Sequence, residues 1–191
     1  MSTLTIPRGD LAVLRDGSEV LIRPVRPEDA ALLAEGFTRL SPESRRLRFL
    51  TAKDELRPAE LRYLTDVDHH HHEAIGALDR TDGQGVGIAR YIRDTADPRT
   101  AEIAVTIVDG WQGRGLGTEL VTRLAERARQ EDVQRFVALT AGGNVAMGTL
   151  LRKLGGTVVA REFGTVEYEL PLGSSQIAAG QRAADHAAPE C

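Results

Sequence analysis

The segment Val108-Asp109-Gly110-Trp111-Gln112-Gly113-Arg114-Gly115-Leu116-Gly117-Thr118 constrains the fold of this chain most, because it joins two strongly periodic stretches. Before it, residues 100–108 alternate. Ile103, Val105 and Ile107 fall on one side and Glu102, Ala104 and Thr106 on the other, the pattern of a strand. After it, residues 116–130 carry Leu116, Leu120, Leu124 and Ala128 as an apolar stripe, with Val121 and Ala125 beside them. Glu119 and Arg123, at i and i+4, take the wet side of that helix. Glycines at 113, 115 and 117 let the backbone approach a ligand and aim successive N–H groups at it. The first turn of a helix leaves its N–H groups unpaired and carries a positive partial charge, so the segment reads as a phosphate or pyrophosphate site. Arg114 adds a full positive charge. The plainer alternative is a tight strand-to-helix turn that needs glycine for its geometry alone.

The rest of the chain organises around this junction. Residues 19–23 read as a strand closed by Pro24 and Pro27. Pro27-Glu28-Asp29 opens a helix in which Ala30, Leu33, Ala34 and Phe37 recur at helical spacing. A second helix starts at Ser41-Pro42-Glu43-Ser44 with Ser41 as its N-cap, and a third near Pro58. Residues 74–80 and 86–93 flank a turn at 81–85 and predict a hairpin. Residues 134–141 read as a strand, 144–154 as a helix ended by Gly155-Gly156, and 157–162 and 166–172 as a last pair of strands. That order predicts a single α/β (α+β) domain over residues 19–172. Residues 1–18 form an N-terminal segment before it. Residues 173–191 form a tail that is rich in Ala, Ser, Gly and Gln and is expected to be disordered.

Bulk properties exclude several classes. With 24 basic and 28 acidic side chains the formal net charge is −4, which offers no global field for nucleic acid or an anionic membrane. The single cysteine, Cys191, can form neither an internal disulfide nor a Cys-based metal cluster, and it fits a reducing compartment. Neither a secretory h-region near the start nor a run of 18 apolar residues is visible, so the expectation is a soluble cytoplasmic protein. The run His69-His70-His71-His72 reads as a solvated loop, with metal binding as the less favoured use. Arg45, Arg46 and Arg48 read as an exposed helix face, with contact to an anionic acceptor or a ligand phosphate as the other reading. Trp111 reads as a loop anchor.

The glycine segment is not a Walker A loop, because Gly-Lys-Ser/Thr is missing. It is not the dinucleotide fingerprint either, because Thr118 stands where the third glycine would fall. What fits is Gln-x-x-Gly-x-Gly, here Gln112-Gly113-Arg114-Gly115-Leu116-Gly117, which resembles the acyl-CoA-binding motif of the GNAT superfamily of N-acetyltransferases. The strand before it and Asn144 with Leu150-Leu151-Arg152-Lys153-Leu154-Gly155 extend the resemblance. Arg15-Asp16-Gly17, residues 22–29 and Leu40-Ser41-Pro42-Glu43-Ser44-Arg45 look like the Pat-type branch, which includes bacterial protein-lysine acetyltransferases.

The resemblance implies a central mixed, twisted sheet with two splayed parallel strands, flanked by helices. It implies acetyl-CoA as cosubstrate, lying between those strands, and no metal. Main-chain groups near Ile107 and Val108 would pair with the pantetheine arm. The segment Gln112, Gly113, Arg114, Gly115, Leu116, Gly117 and Thr118 would hold the pyrophosphate, chiefly through the N–H groups of Gly113, Gly115, Gly117 and Thr118. Asn144 would meet the pantetheine side. Glu102 is the candidate base. It lies on the small-residue face, roughly 20 Å upstream of the loop at about 3.3 Å per residue, within reach of the thioester end. The acceptor implied is a primary amine, on a protein lysine or a small molecule, attacking the thioester directly; a homodimer is what the superfamily suggests. One departure stands out: Leu151 occupies the position where many relatives place a tyrosine as general acid. A catalytically weak acyl-CoA-binding sensor is the alternative this leaves open, and a nucleotide-binding module is disfavoured by the missing motifs.

Overall fold

Alternating strands and short helices build one mixed sheet in a computed structural model that describes residues 9–173. The strands are β1 (Asp10–Val13), β2 (Glu19–Pro24), β3 (His72–Asp79), β4 (Gly85–Arg93), β5 (Thr100–Ile107), β6 (Arg135–Ala141), β7 (Thr157–Glu162) and β8 (Thr165–Pro171). The helices are α1 (Ala30–Thr38), α2 (Pro42–Phe49), α3 (Pro58–Thr65), α4 (Leu116–Gln130) and α5 (Val145–Lys153). The sheet order is β1-β2-β3-β4-β5-β6-β8-β7. Every neighbouring pair is antiparallel except β5–β6, which is parallel and is crossed over by α4.

The stripe foreseen on α4 is its buried face. Leu116, Leu120, Val121, Leu124, Ala125 and Ala128 are all at most 1% exposed and join Ala101, Ile103 and Phe136 of the sheet in one core. Burying each leucine of that stripe stabilises the fold by about 1.5–3 kcal/mol. Gly87 on β4 permits the close approach, since a Cβ there would stand 2.9 Å from Ile107 and 3.1 Å from Leu116. Helices α1 and α2 lie over the other side of β4 and β5, where Ile88, Arg90, Ala104 and Thr106 face them. Ser41 caps α2, its hydroxyl accepting the Ser44 N–H at 3.1 Å, as expected.

Two differences from the sequence reading matter for the site. Strand β1 falls inside residues 1–18, the stretch set apart as a leading segment, and pairs with β2 along its whole length. Strand β3 begins at His72 rather than 74, because Asp68 Oδ1 accepts the N–H groups of His70, His71 and His72 and gathers the loop into the strand. The expected tail lies outside the described residues, apart from Gly173.

Candidate active site

The parallel pair β5–β6 is short. Thr100, Ala101 and Glu102 register with Arg135, Phe136 and Val137, and beyond that rung the strands part. A groove of ≈ 650 Å³ opens between them and runs to the glycine loop. Glu102 therefore stands where the groove begins, exposed, making no hydrogen bond or ion pair with any described residue. Backbone polar groups alternate sides along a strand, and the Val108 N–H bonds to Val86 O at 3.0 Å on the β4 side. The main-chain groups of Ile103, Val105 and Ile107 consequently turn to the side β6 has left. That corrects one expectation. Ile107 faces the groove, but the Val108 N–H is taken by the sheet and its side chain lines a separate space under α1 and α2.

At the other end, Gly113 and Gly115 adopt φ of 78° and 94°, left-handed values that side chains resist. Gly115 is the N-cap of α4, so the N–H groups of Leu116, Gly117 and Thr118 open the helix with no intrahelical partner, and all three residues line the groove. The fit to an anionic, extended ligand is good: an unfilled strand edge leads to an unpaired helix start. Leu116 contributes main chain only, its side chain being 1% exposed in the core. Asn144 lines the groove as N-cap of α5, with its Oδ1 accepting the Met147 N–H at 3.0 Å. Its amide NH₂, which makes no hydrogen bond with a described residue, faces no such competition for a ligand.

Gln112 and Arg114 act differently from the expectation. The Gln112 amide donates to Ile107 O at 3.1 Å and Asp109 Oδ1 at 3.2 Å, bracing the loop. Asp109 in turn accepts from the Ser41 N–H at 2.9 Å and the Ser44 hydroxyl at 2.6 Å, which ties α2 to the loop. Burial opposes the Asp109 charge, yet those serine hydrogen bonds prevail and lower its pKa. Arg114 turns away from the groove. It stacks on Trp111 at 4.7 Å and pairs with Asp16 at 3.0 Å, donating also to Ser18 and Gly110. The cation at this end of the groove is Arg15, from the β1–β2 turn, anchored by its N–H to Arg114 O at 3.1 Å. Its side chain packs over Gly115, 3.3 Å from where a Cβ would be. In the sequence Arg15 carries part of the Pat-type resemblance, which assigns it no ligand.

Leu151 is fully buried, so α5 offers Thr149 and Lys153, not residue 151, to the groove. The histidine run is structural: His69 pairs with buried Glu73 and His70 with Glu131. His72 faces α3 on the same rung as Ile92 and Glu102. Its Nε2 accepts from Arg90 at 3.0 Å, which requires the neutral ring. Burial, and next the Arg90 charge, pull its pKa down to about 4, against the opposing charges of Asp68 and Glu73. The unfolded chain thus binds a proton that the folded chain refuses between about pH 6.5 and 4. Stability from this group is complete above pH 6.5 and is lost as pH falls through that window. His72→Gln keeps an acceptor for Arg90 without titrating; its thermal midpoint is expected to fall less steeply than that of wild type between pH 6.5 and 4. Parallel slopes would show that His72 is not the group responsible.

A sheet that parts at one rung, over a groove ended by a glycine-rich helix start, has the shape to admit an elongated, anion-ended ligand. The family model for the acetyltransferase (GNAT) domain matches residues 19–157. The chain belongs to the GNAT acetyltransferase family. It is 39% identical over 144 residues to the acetyltransferase PA5475 of Pseudomonas aeruginosa, covering 74% of this chain and 77% of that one. It is 32% identical over 159 residues to the acetyltransferase Pat of Mycolicibacterium smegmatis, covering 83% of this chain and 47% of Pat, so it spans about half of that relative's length. The crystal structure of the GNAT domain of S. lividans PAT superposes with a TM-score of 0.80 at 28% identity, covering 85% of this chain and 96% of that one. Among the described residues no helix is long and apolar enough to cross a membrane.

Proposed function

We propose that the chain transfers an acetyl group from acetyl-CoA to a primary amine, on a protein lysine or a small molecule, with Glu102 as general base. The observation that carries this reading is the place of Glu102, at the rung where β5 and β6 part and in the groove that ends at the α4 N-terminus. Bound acetyl-CoA would supply an activated thioester carbonyl at that point. The N–H groups of Gly113, Gly115, Gly117 and Thr118, with Arg15, would hold its diphosphate. The main-chain edge of Ile103 and Val105, with the Ile107 N–H beside a carbonyl that Gln112 already engages, would align the pantetheine arm. Glu102 takes the proton from the ammonium form of the acceptor, freeing the lone pair for attack on the carbonyl carbon. The carbon–sulfur bond then breaks, CoA leaves as a thiolate, and the second proton shed by the nitrogen goes to that thiolate. A thiol pKa of about 8.5 makes that departure tolerable without a side-chain acid, consistent with a buried Leu151.

The test is thiol release from acetyl-CoA against a panel of amines and lysine peptides. Release that depends on the acceptor is expected. Tight acetyl-CoA binding with no release for any acceptor would overturn catalysis in favour of an acyl-CoA sensor.

A further inference from the structure

Helix α2 carries three arginines on two turns, and they do three different things. Arg46 pairs with Glu43 in solvent. Arg45 lies over Phe37 and donates to the carbonyls of Thr38 and Asp54. Arg48 turns inward, so the exposed-face reading holds for Arg46 and fails for Arg48. Its guanidinium stacks on Phe49, 4.9 Å from the ring centroid, and makes no hydrogen bond or ion pair with any described residue.

Arg48 also occupies a boundary. With Phe49 and Thr106 it lines both the groove and a second space of ≈ 100 Å³ between α1–α3 and the sheet. That second space is apolar, walled by Leu32, Leu33, Phe37, Leu40, Leu56 and Leu64. Beneath it lies Arg90, 4% exposed, whose guanidinium is spent on His72 and on Leu64 O. Arg90 repels Arg48. Burial lowers the Arg48 pKa, and the charge of Glu102 opposes that shift, although the two side chains are too far apart to pair. A half-buried guanidinium that faces the groove with no protein acceptor is open to a carboxylate from outside. Glu102, opposite in sign and equally unpartnered, faces the same groove.

We propose that Arg48 and Glu102 together recognise a zwitterion, so that the acceptor is an amino acid with an apolar side chain. Its carboxylate meets the Arg48 fork, its ammonium meets Glu102, and its side chain enters the space walled by α1 and α3. A guanidinium edge takes a carboxylate through two parallel hydrogen bonds, which a plain amine cannot provide. This inference rests on the transfer reading above and narrows its acceptor.

The test uses matched probes: leucine with isoamylamine and leucinamide, and phenylalanine with phenethylamine and phenylalaninamide. Each is assayed for thiol release from acetyl-CoA with wild type, Arg48→Gln and Arg48→Lys. Wild type is expected to favour the amino acid over its decarboxylated partner by about 10- to 100-fold in kcat/KM, the range for a charged hydrogen-bond pair. The ratio should fall to near one in Arg48→Gln and recover in part in Arg48→Lys. Equal use of the matched probes by wild type would overturn the inference, as would an unchanged ratio in Arg48→Gln. Better turnover of lysine peptides than of any free amino acid would do the same. A second readout needs no chemistry. With CoA present, leucine and not isoamylamine should raise the thermal midpoint of wild type, and neither should raise that of Arg48→Gln. Leucine protection without thiol release would keep the recognition and remove the transfer reading. Thiol release from plain amines without carboxylate preference would do the reverse.

Discussion

Glu102→Gln is expected to lower amine-dependent turnover by about 10²- to 10⁴-fold, the usual contribution of a positioned general base. A lysine-like amine with a pKa near 10.4 is neutral in roughly one molecule in 2500 at pH 7, so the ammonium must lose its proton before it can attack. Glu102 is the carboxylate at the rung where the parallel strands separate, and its side chain makes no hydrogen bond or ion pair with any described residue. The amide that replaces it has the same shape and cannot accept that proton. Because the side chain is exposed and unpaired, the substitution should change stability by no more than about 0.5 kcal/mol. Acetyl-CoA affinity should persist, since the proposed diphosphate site at residues 113–118 is at the far end of the groove. The loss should shrink with hydroxylamine, which is already neutral at pH 7 and needs no deprotonation to present its lone pair. Full turnover by the variant across pH would remove Glu102 from the mechanism. An equal loss with hydroxylamine and with ordinary amines would make its role structural.

The junction from β5 to α4 was legible because its signals are local. Alternation placed Glu102 on the groove face, and left-handed glycines at 113 and 115 can be filled by few other residues. What was missed depends on partners distant in sequence. Strand β1 defeats a hydrophobic reading outright: Leu11 and Val13 are 51% and 66% exposed, while the buried residue between them is Ala12. Main-chain pairing with β2 makes that strand, and it is what brings Arg15 to Gly115. Charge and a place in the glycine motif point Arg114 at the ligand, but Asp16, in the turn between β1 and β2, claims it. Arg48 could not be told from Arg45 and Arg46 by composition. Which of three neighbouring arginines turns inward depends on how α2 is tied down, and Asp109, well over fifty residues away, does that. Spacing reveals a loop whose ligand is the backbone itself. It does not reveal a side chain whose environment is assembled from four segments.

The same limit applies to Glu73, and there the consequence is stability. The sequence reading begins a strand at Ala74 and leaves the acid in the loop, yet Glu73 is fully buried in β3. One oxygen accepts from His69 Nδ1 at 2.7 Å and from the Ala74 N–H at 2.9 Å. The other, among the described residues, accepts only from Arg127 on α4, through Nε and Nη2, both at 3.2 Å. Arg127 itself is 40% exposed, so it gains little from the contact, and the dependence runs one way. Arg127→Met leaves a buried carboxylate oxygen with no donor. That is expected to cost about 3 kcal/mol, in the range for breaking a buried charge pair. For a domain of this size the thermal midpoint should drop by about 6–12 °C. Adding Glu73→Gln to Arg127→Met removes the stranded charge and should recover more than half of that loss, whereas Glu73→Gln alone should cost less than Arg127→Met alone. Additive losses in the double variant would mean that the two side chains are not coupled and that α4 is held to β3 by the apolar stripe alone. A recovered midpoint would show that the two side chains are coupled and that the loss in Arg127→Met comes from the Glu73 charge left buried without its donor.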